Sequence, residues 1–243
     1  MGTQPMLVAV GLRKQFGALA ALDGVDFTVA AGEAVGIVGP NGAGKTTLLN
    51  VLAGTVGPSS GSISFQGGDV TRSGASRRSR LGIARAHQVP RPFGGMTVFE
   101  NCFVAATTGG RLRRRAAYDR CLEVLELCAL GEVGNRRAET LGLLGRKRLE
   151  VARALSTNPV LLLLDEIGAG LTDAEAVELV ALIQALHRAG TAIVWIEHIV
   201  HVLVQGIERL VCMDTGRVIA DGEPEAVMRD ARVVDAYLGG AVA

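Results

Sequence analysis

The segment Gly39-Pro40-Asn41-Gly42-Ala43-Gly44-Lys45-Thr46 matches the pattern G-x-x-x-x-G-K-[ST], and its setting makes it restrictive. Before it, Ala34 to Val38 is a compact apolar run of strand length. After it, Thr46 to Ala53 places Leu48, Leu49 and Leu52 at helical intervals and stops at Gly54. A strand that passes through a glycine-rich turn straight into a helix belongs to an α/β architecture. In such a turn backbone N–H groups can wrap a phosphate, and the helix amino terminus adds partial positive charge. Lys45 would reach the β- and γ-phosphates and the Thr46 hydroxyl could ligate Mg²⁺, with Thr47 beside them in the same candidate site.

The remaining pattern supplies the other parts of such a core. Val160 to Leu164 follows Asn158-Pro159 and shows no polar alternation, as expected of a parallel strand covered on both faces. Thr172-x-x-Glu175 is a capping-box pattern, and Ala176, Leu179, Val180, Ile183 and Leu186 make one apolar helix face that ends at Gly190. Thr191 to Ile196 is the next buried strand. Met6 to Val10, Val25 to Val29 and Ile63 to Phe65 are short β-rich pieces that can form a small antiparallel layer. Ala116 to Ala129 and Arg146 to Leu155 are helical by spacing. The expected division of the 243 residues is one domain: a core from 1–88 and 158–217, a helical subdomain over about 89–157, and a tail over 218–243.

Composition excludes several classes. A chain of this length buries roughly 70–75% of its unfolded surface and needs no disulfide or metal staple. Its longest dense apolar stretch, Val160 to Leu164, is far short of the ~18 residues that span a bilayer. Met1 to Val10 lacks the basic and apolar regions of an export signal, so a cytosolic location is expected. Cys102, Cys121, Cys128 and Cys212 show no C-x-x-C spacing and read as buried free thiols, with no zinc site or redox pair. Twenty-five basic against 24 acidic residues give a net charge of +1, which argues against a nucleic-acid partner. Arginines do cluster at Arg77 to Arg80, Arg111 to Arg115 and Arg146 to Arg148; the second cluster reads as a solvated loop, with anionic lipid headgroups as the alternative contact.

A nucleotide held with Mg²⁺ also needs a carboxylate for the metal's water shell and a base for the attacking water. Asp165 and Glu166 stand at the carboxyl end of Leu161 to Leu164, where ligands gather on open parallel sheets; the plainer alternative is a solvated strand end. His198 closes the next strand in Ile196-Glu197-His198 and could reach the same edge, or serve only structurally. Glu197-His198-x-x-His201 is not H-E-x-x-H and lacks a third placed ligand, so it does not read as a metal site.

Together these residues resemble the ATP-binding subunits of ATP-binding cassette (ABC) transporters over nearly the whole chain. The resemblance implies a P-loop NTPase core with a small antiparallel β layer and a helical subdomain insert. It places Phe16 where the family stacks an aromatic on adenine, Gln88 at its Q-loop and His198 at its switch histidine. Leu149 to Leu155 resembles the helix after the family's signature motif. By that resemblance Gly39 to Thr47 hold ATP, Thr46, Asp165 and Gln88 serve Mg²⁺, Glu166 polarises water, and Gln88 and His198 sense the γ-phosphate. The implied partners are a second ABC ATPase subunit, identical or related, integral membrane permease subunits and, indirectly, a solute-binding protein, at the inner face of the cell membrane. Arg91-Pro92-Phe93-Gly94-Gly95-Met96-Thr97-Val98-x-Glu100-Asn101 and Val234-x-Ala236-Tyr237-Leu238-Gly239 are similar to the subunits that energise branched-chain amino-acid importers, a branch that also serves urea, amides and related cargoes.

Two departures stand out. Where the family usually has L-S-G-G-Q, this chain has Leu141-Gly142-Leu143-Leu144-Gly145, without the serine hydroxyl. The proline that often follows the catalytic glutamate is Ile167, and the last residue of the D-loop is Thr172 in place of aspartate. These departures bear on what the chain offers its partner's ATP site. The rival readings are a regulatory nucleotide-binding subunit with little hydrolysis and a soluble ABC ATPase that acts outside transport.

Overall fold

The apolar runs read as buried strands do have two covered faces, and alternate side chains go to different cores. In a computed structural model, residues 5–197, 203, 204 and 206–239 are described. Strand β3 (Ala34–Val38) sends Val35 and Ile37 to one core and Ala34 and Val38 to the other. β7 (Leu161–Asp165) divides its four leucines in the same way, and β8 (Ala192–Ile196) opposes Val194 to Trp195. Period-two side-chain geometry therefore explains why these strands carry no polar alternation.

β3, β7 and β8 belong to a six-stranded sheet with β6 (Ile83–Ala86), β9 (Arg209–Asp214) and β10 (Arg217–Gly222), in the order β10-β9-β3-β8-β7-β6. All neighbours are parallel except the antiparallel edge pair β9–β10. β10 carries the sheet into the stretch read from sequence as the start of the tail. Residues Ile37, Ile196 and Asp165 lie in one row across the sheet, and Ala86 pairs with Leu164 beside them. The register thus delivers the segments after β3, β8, β7 and β6 to a single edge.

A second sheet, in the order β2-β1-β4-β5, is antiparallel: β1 (Leu7–Phe16), β2 (Leu19–Val29), β4 (Ser60–Phe65) and β5 (Gly68–Asp69). It shares a core with one face of the large sheet and with Leu48, Leu49 and Leu52 of helix α1 (Lys45–Ala53). The carboxyl end of α1 is closed by Arg78, fully buried on α2 (Ala75–Arg80), which donates to the carbonyls of Val51 (2.6 Å), Leu52 (2.8 Å), Val70 (2.7 Å), Thr71 (3.2 Å) and Ser73 (2.9 Å). Such a guanidinium satisfies carbonyls that a helix end leaves open.

Between β6 and β7 the chain is helical: α3 (Val98–Thr108), α4 (Arg114–Leu127) and α5 (Leu143–Ser156), with short 3₁₀ turns at Gly131–Val133 and Ala138–Thr140. Helix α3 opens on a complete capping box between Thr97 and Glu100, and buried Asn101 bonds to Phe93 on both its N–H (2.8 Å) and carbonyl (3.1 Å). The motif read from sequence as a subfamily signal is thus also a local clamp that starts a helix. Helix α6 (Asp173–Arg188) starts on the expected capping box at Thr172 and Glu175. Short helices α7 (Pro224–Arg229) and α8 (Ala231–Gly239) follow β10. All four cysteines are buried and free. Among the described residues no helix is long and apolar enough to cross a membrane.

Candidate nucleotide site

At the shared edge the turn from Gly39 to Gly44 joins β3 to α1, and its glycines have different reasons to be there. A Cβ on Gly39 would lie 2.0 Å from the Met213 carbonyl oxygen of β9, and one on Gly44 would lie 2.4 Å from that of Ala21 in β2. Both are excluded by backbone packing. Gly42 faces open space, and its constraint is a φ of +83°, which L side chains rarely adopt. Gly44 caps α1, so the first-turn amides from Lys45 onward have no acceptor within the helix and face the loop's concavity. The turn is braced further where Gly216 N–H donates to the Ala43 carbonyl (3.0 Å) and Gly39 N–H donates to the Tyr237 hydroxyl of α8 (2.9 Å).

A cavity of about 430 Å³ opens over this turn, lined by Asn41 to Thr47, Phe16, Glu166 and Thr215. Lys45 is buried, and its ammonium donates to the carbonyls of Gly39 (2.6 Å) and Pro40 (2.9 Å). Burial holds its pKa below the ordinary lysine value, opposed by the negative charge of the carboxylates Glu166 and Asp165. The two loop carbonyls occupy donors that a phosphate would otherwise take. Phe16 is half exposed at the rim, with the Lys14 ammonium 4.9 Å from its ring centroid.

The carboxylates lie where β7 ends. Asp165 is buried, with Oδ1 3.4 Å from the Thr46 hydroxyl, which donates to it, and Oδ2 2.6 Å from a guanidinium nitrogen of Arg85. Arg85 also donates to the Asn50 side chain of α1 (2.6 Å), so one β6 cation ties the strand of Asp165 to the helix of Thr46. A hydroxyl and a carboxylate oxygen side by side form a hard-oxygen pair beside the phosphate turn, a donor set that fits Mg²⁺. Glu166 has a left-handed φ of +45° and its N–H donates to Ile196. That conformation costs of order 1 kcal/mol for a residue with a side chain and turns the glutamate out of the strand direction. Its carboxylate accepts from the Gln88 amide. Gln88 lines an adjoining groove of about 460 Å³ with Arg91, Glu150, Arg153 and Asp165.

Phe16, Gly39 to Thr47, Gln88, Asp165 and Glu166 are therefore brought to one edge of the molecule, while His198 and His201 lie outside the described residues. Glu197, next to them in sequence, is buried: its carboxylate accepts from Gly168 N–H (2.8 Å) and the Trp195 indole (3.1 Å), and burial raises its pKa. The sequence reading missed four further residues that shape the site. Arg85 had a signal, a lone arginine inside the apolar run Ile83–Ala86. Lys147 had another, as one of three lysines in the chain. Tyr237 and Thr215 are remote in sequence, and only the fold brings them to the turn.

The architecture and this edge define an ATP-binding cassette. The family profile described as "ABC transporter" matches residues 22–169, and one described as "Branched-chain amino acid ATP-binding cassette transporter" matches residues 217–243. The chain belongs to the ABC transporter family, among its ATP-binding subunits. It is 37% identical over 253 residues to the high-affinity branched-chain amino acid transport ATP-binding protein LivG of Salmonella typhimurium and of Escherichia coli, covering 98% of this chain and 99% of each relative. The protein BraF of Pseudomonas aeruginosa, with the same description, is 35% identical over 252 residues at the same coverage. A nucleotide-free ATP-binding cassette from an ABC transporter superposes with a TM-score of 0.88 at 30% identity, covering 96% of this chain and 99% of that one. The ADP conformation of such a cassette gives 0.88 at 30%, covering 98% and 100%.

Proposed function

We propose that this chain is the ATP-binding and ATP-hydrolysing subunit of an importer for branched-chain amino acids or closely related small solutes. The observation that carries the reading is the convergence of Lys45, Thr46, Asp165, Glu166 and Gln88 around one phosphate-shaped turn. In that role Lys45 turns its ammonium from the carbonyls of Gly39 and Pro40 to the β- and γ-phosphates, and the first-turn amides of α1 hold the same oxygens. Thr46 and Asp165 would hold Mg²⁺, which supplies neutralisation of phosphate charge when bound. Glu166 orients and deprotonates the attacking water, with Gln88 fixing the carboxylate, and Phe16 stacks on the adenine.

The relatives' names supply the cargo class, and the carboxy-terminal match over 217–243 supports the same branch. In this reading residues 89–157 act as the helical subdomain, and the groove beside Gln88 faces the permease subunits at the inner face of the membrane. The chain pairs head to tail with a second ATPase subunit, ATP lying between one phosphate turn and the other's signature segment. The test is uptake of labelled leucine, isoleucine or valine into vesicles that hold the reconstituted transporter. ATP-dependent uptake is expected with the wild-type chain. Lys45→Ala should abolish it while weakening Mg-ATP binding about a hundredfold, the scale of losing charge-assisted bonds to phosphate. Unchanged ATP affinity in a folded Lys45→Ala chain contradicts the site, and ATP turnover without uptake of any of these amino acids contradicts the cargo.

A further inference from the structure

Lys147, on the second turn of α5, is only 2% exposed, although lysine is rarely fully buried without a partner. Its ammonium donates to the main-chain carbonyl of Gln88 at 2.6 Å. The side-chain amide of the same Gln88 donates to the Glu166 carboxylate. The charges that Lys147 faces are those of Glu197 and Glu166, and Glu197 is itself fixed by Gly168 and Trp195. One buried cation on the helix that begins at the signature segment therefore holds the turn after β6, and the Gln88 side chain of that turn meets the carboxylate after β7. Packing alone would be met by an apolar side chain here, which would leave the Gln88 carbonyl without this donor.

We infer that Lys147 is a positioning residue: its ammonium pins the main chain at Gln88 so that the Gln88 amide meets Glu166, and so ties hydrolysis at this chain's own site to the placement of α5. The inference rests on the proposed role of Glu166. It makes α5 a two-ended element. Its first residues, Gly142 to Gly145, would meet the partner's nucleotide, and one turn later Lys147 reports the helix position to the glutamate of the home site.

The test is steady-state ATP hydrolysis by the reconstituted complex, with Mg-ATP affinity measured in parallel by a fluorescent nucleotide. Lys147→Met keeps the stem and removes the ammonium. It should lower kcat at least about tenfold while ATP affinity stays within about threefold, and Lys147→Arg should keep at least about half of wild-type turnover. In a Gln88→Ala background, adding Lys147→Met should cost less than about a further twofold, because the lysine acts through that residue. Because Lys147→Met also removes a positive charge that acts on Glu197, the same series is run with Glu197→Gln, whose amide oxygen still accepts from Gly168 and Trp195; the kcat loss should persist there.

Wild-type kcat in Lys147→Met, a loss that multiplies in full on Gln88→Ala, or a loss repaired by Glu197→Gln would each overturn the inference while the role of Glu166 stands. Equal turnover by wild type and Glu166→Gln would overturn both.

Discussion

Helices α1 and α5 both begin at a glycine-bearing loop, and the two loops are built differently. At α1, Gly39 and Gly44 have backbone carbonyls 2.0 and 2.4 Å from where a Cβ would sit, Gly39 and Gly44 both have positive φ, and strands β2 and β9 press from either side. At α5, Gly142 has a φ of −66°, nothing lies within 4 Å of its Cβ position, and a Cβ on Gly145 would make an ordinary 3.4 Å contact with Leu141. The first loop is dictated by the fold around it. The second could carry almost any side chain, so the lack of a polar group there is a property of the sequence alone. In the proposed reading, the loop that would hold the chain's own nucleotide is locked, and the one that would be presented to a partner is free to vary.

The largest expected effect that sharpens this contrast comes from behind the locked loop. Arg78→Met removes the donors to five carbonyls, those of Val51 and Leu52 in the last turn of α1 and those of Val70, Thr71 and Ser73 in the segment before α2, and should destabilise the chain by about 3 kcal/mol or more in urea unfolding. A loss below about 1 kcal/mol would mean that α1 is held by its apolar face alone. Next, Gly44→Ala should cost about 2–3 kcal/mol, because a Cβ must displace the Ala21 carbonyl at a φ of +97°. Stability equal to wild type would break the comparison at its base. Smallest is Gly142→Ser, which should change stability by less than about 0.5 kcal/mol and in the stabilising direction, since serine at a helix amino cap can accept from the first-turn amides. A marked destabilisation by that change would show hidden packing at α5.

Much of the fold was legible because local pattern and burial coincide in its centre. Ala34 to Val38 is strand β3 to the residue, and the buried leucines lead to Asp165 as expected, with Val160 left outside the strand and 41% exposed. Legibility fades where hydrogen bonding, not burial, makes the element. β1 and β2 were expected as Met6 to Val10 and Val25 to Val29, yet they run on to Phe16 and back from Leu19 as a hairpin around Gly17. Residues such as Arg13, Lys14 and Gln15 pair there without an apolar stripe to announce a strand. At the site, the phosphate turn and the paired carboxylates were readable because their chemistry is concentrated in a few consecutive residues. Their supports were not: the Arg85 bridge to Asn50 and Asp165, the Lys147 bond to Gln88 and the Tyr237 contact with Gly39 join segments between 35 and 198 residues apart.

The central claim is that Lys45, Thr46, Gln88, Asp165 and Glu166 equip this chain's own site for hydrolysis, while the segment proposed to face a partner lacks a hydroxyl at Gly142. The most direct test is steady-state ATP hydrolysis by the reconstituted complex with a distinct second ATPase subunit that retains a serine-bearing signature, comparing Glu166→Gln here with the equivalent change in the partner. The site lined by Glu166 would face the intact signature, and the partner's turn would face Gly142 to Gly145. Loss of one donor at an oxygen that develops charge costs on the order of 3 kcal/mol, or about a hundredfold in rate. Glu166→Gln should therefore remove nearly all turnover, and the partner's substitution should spare most of it. Equal losses, or a larger loss from the partner's substitution, would contradict the account.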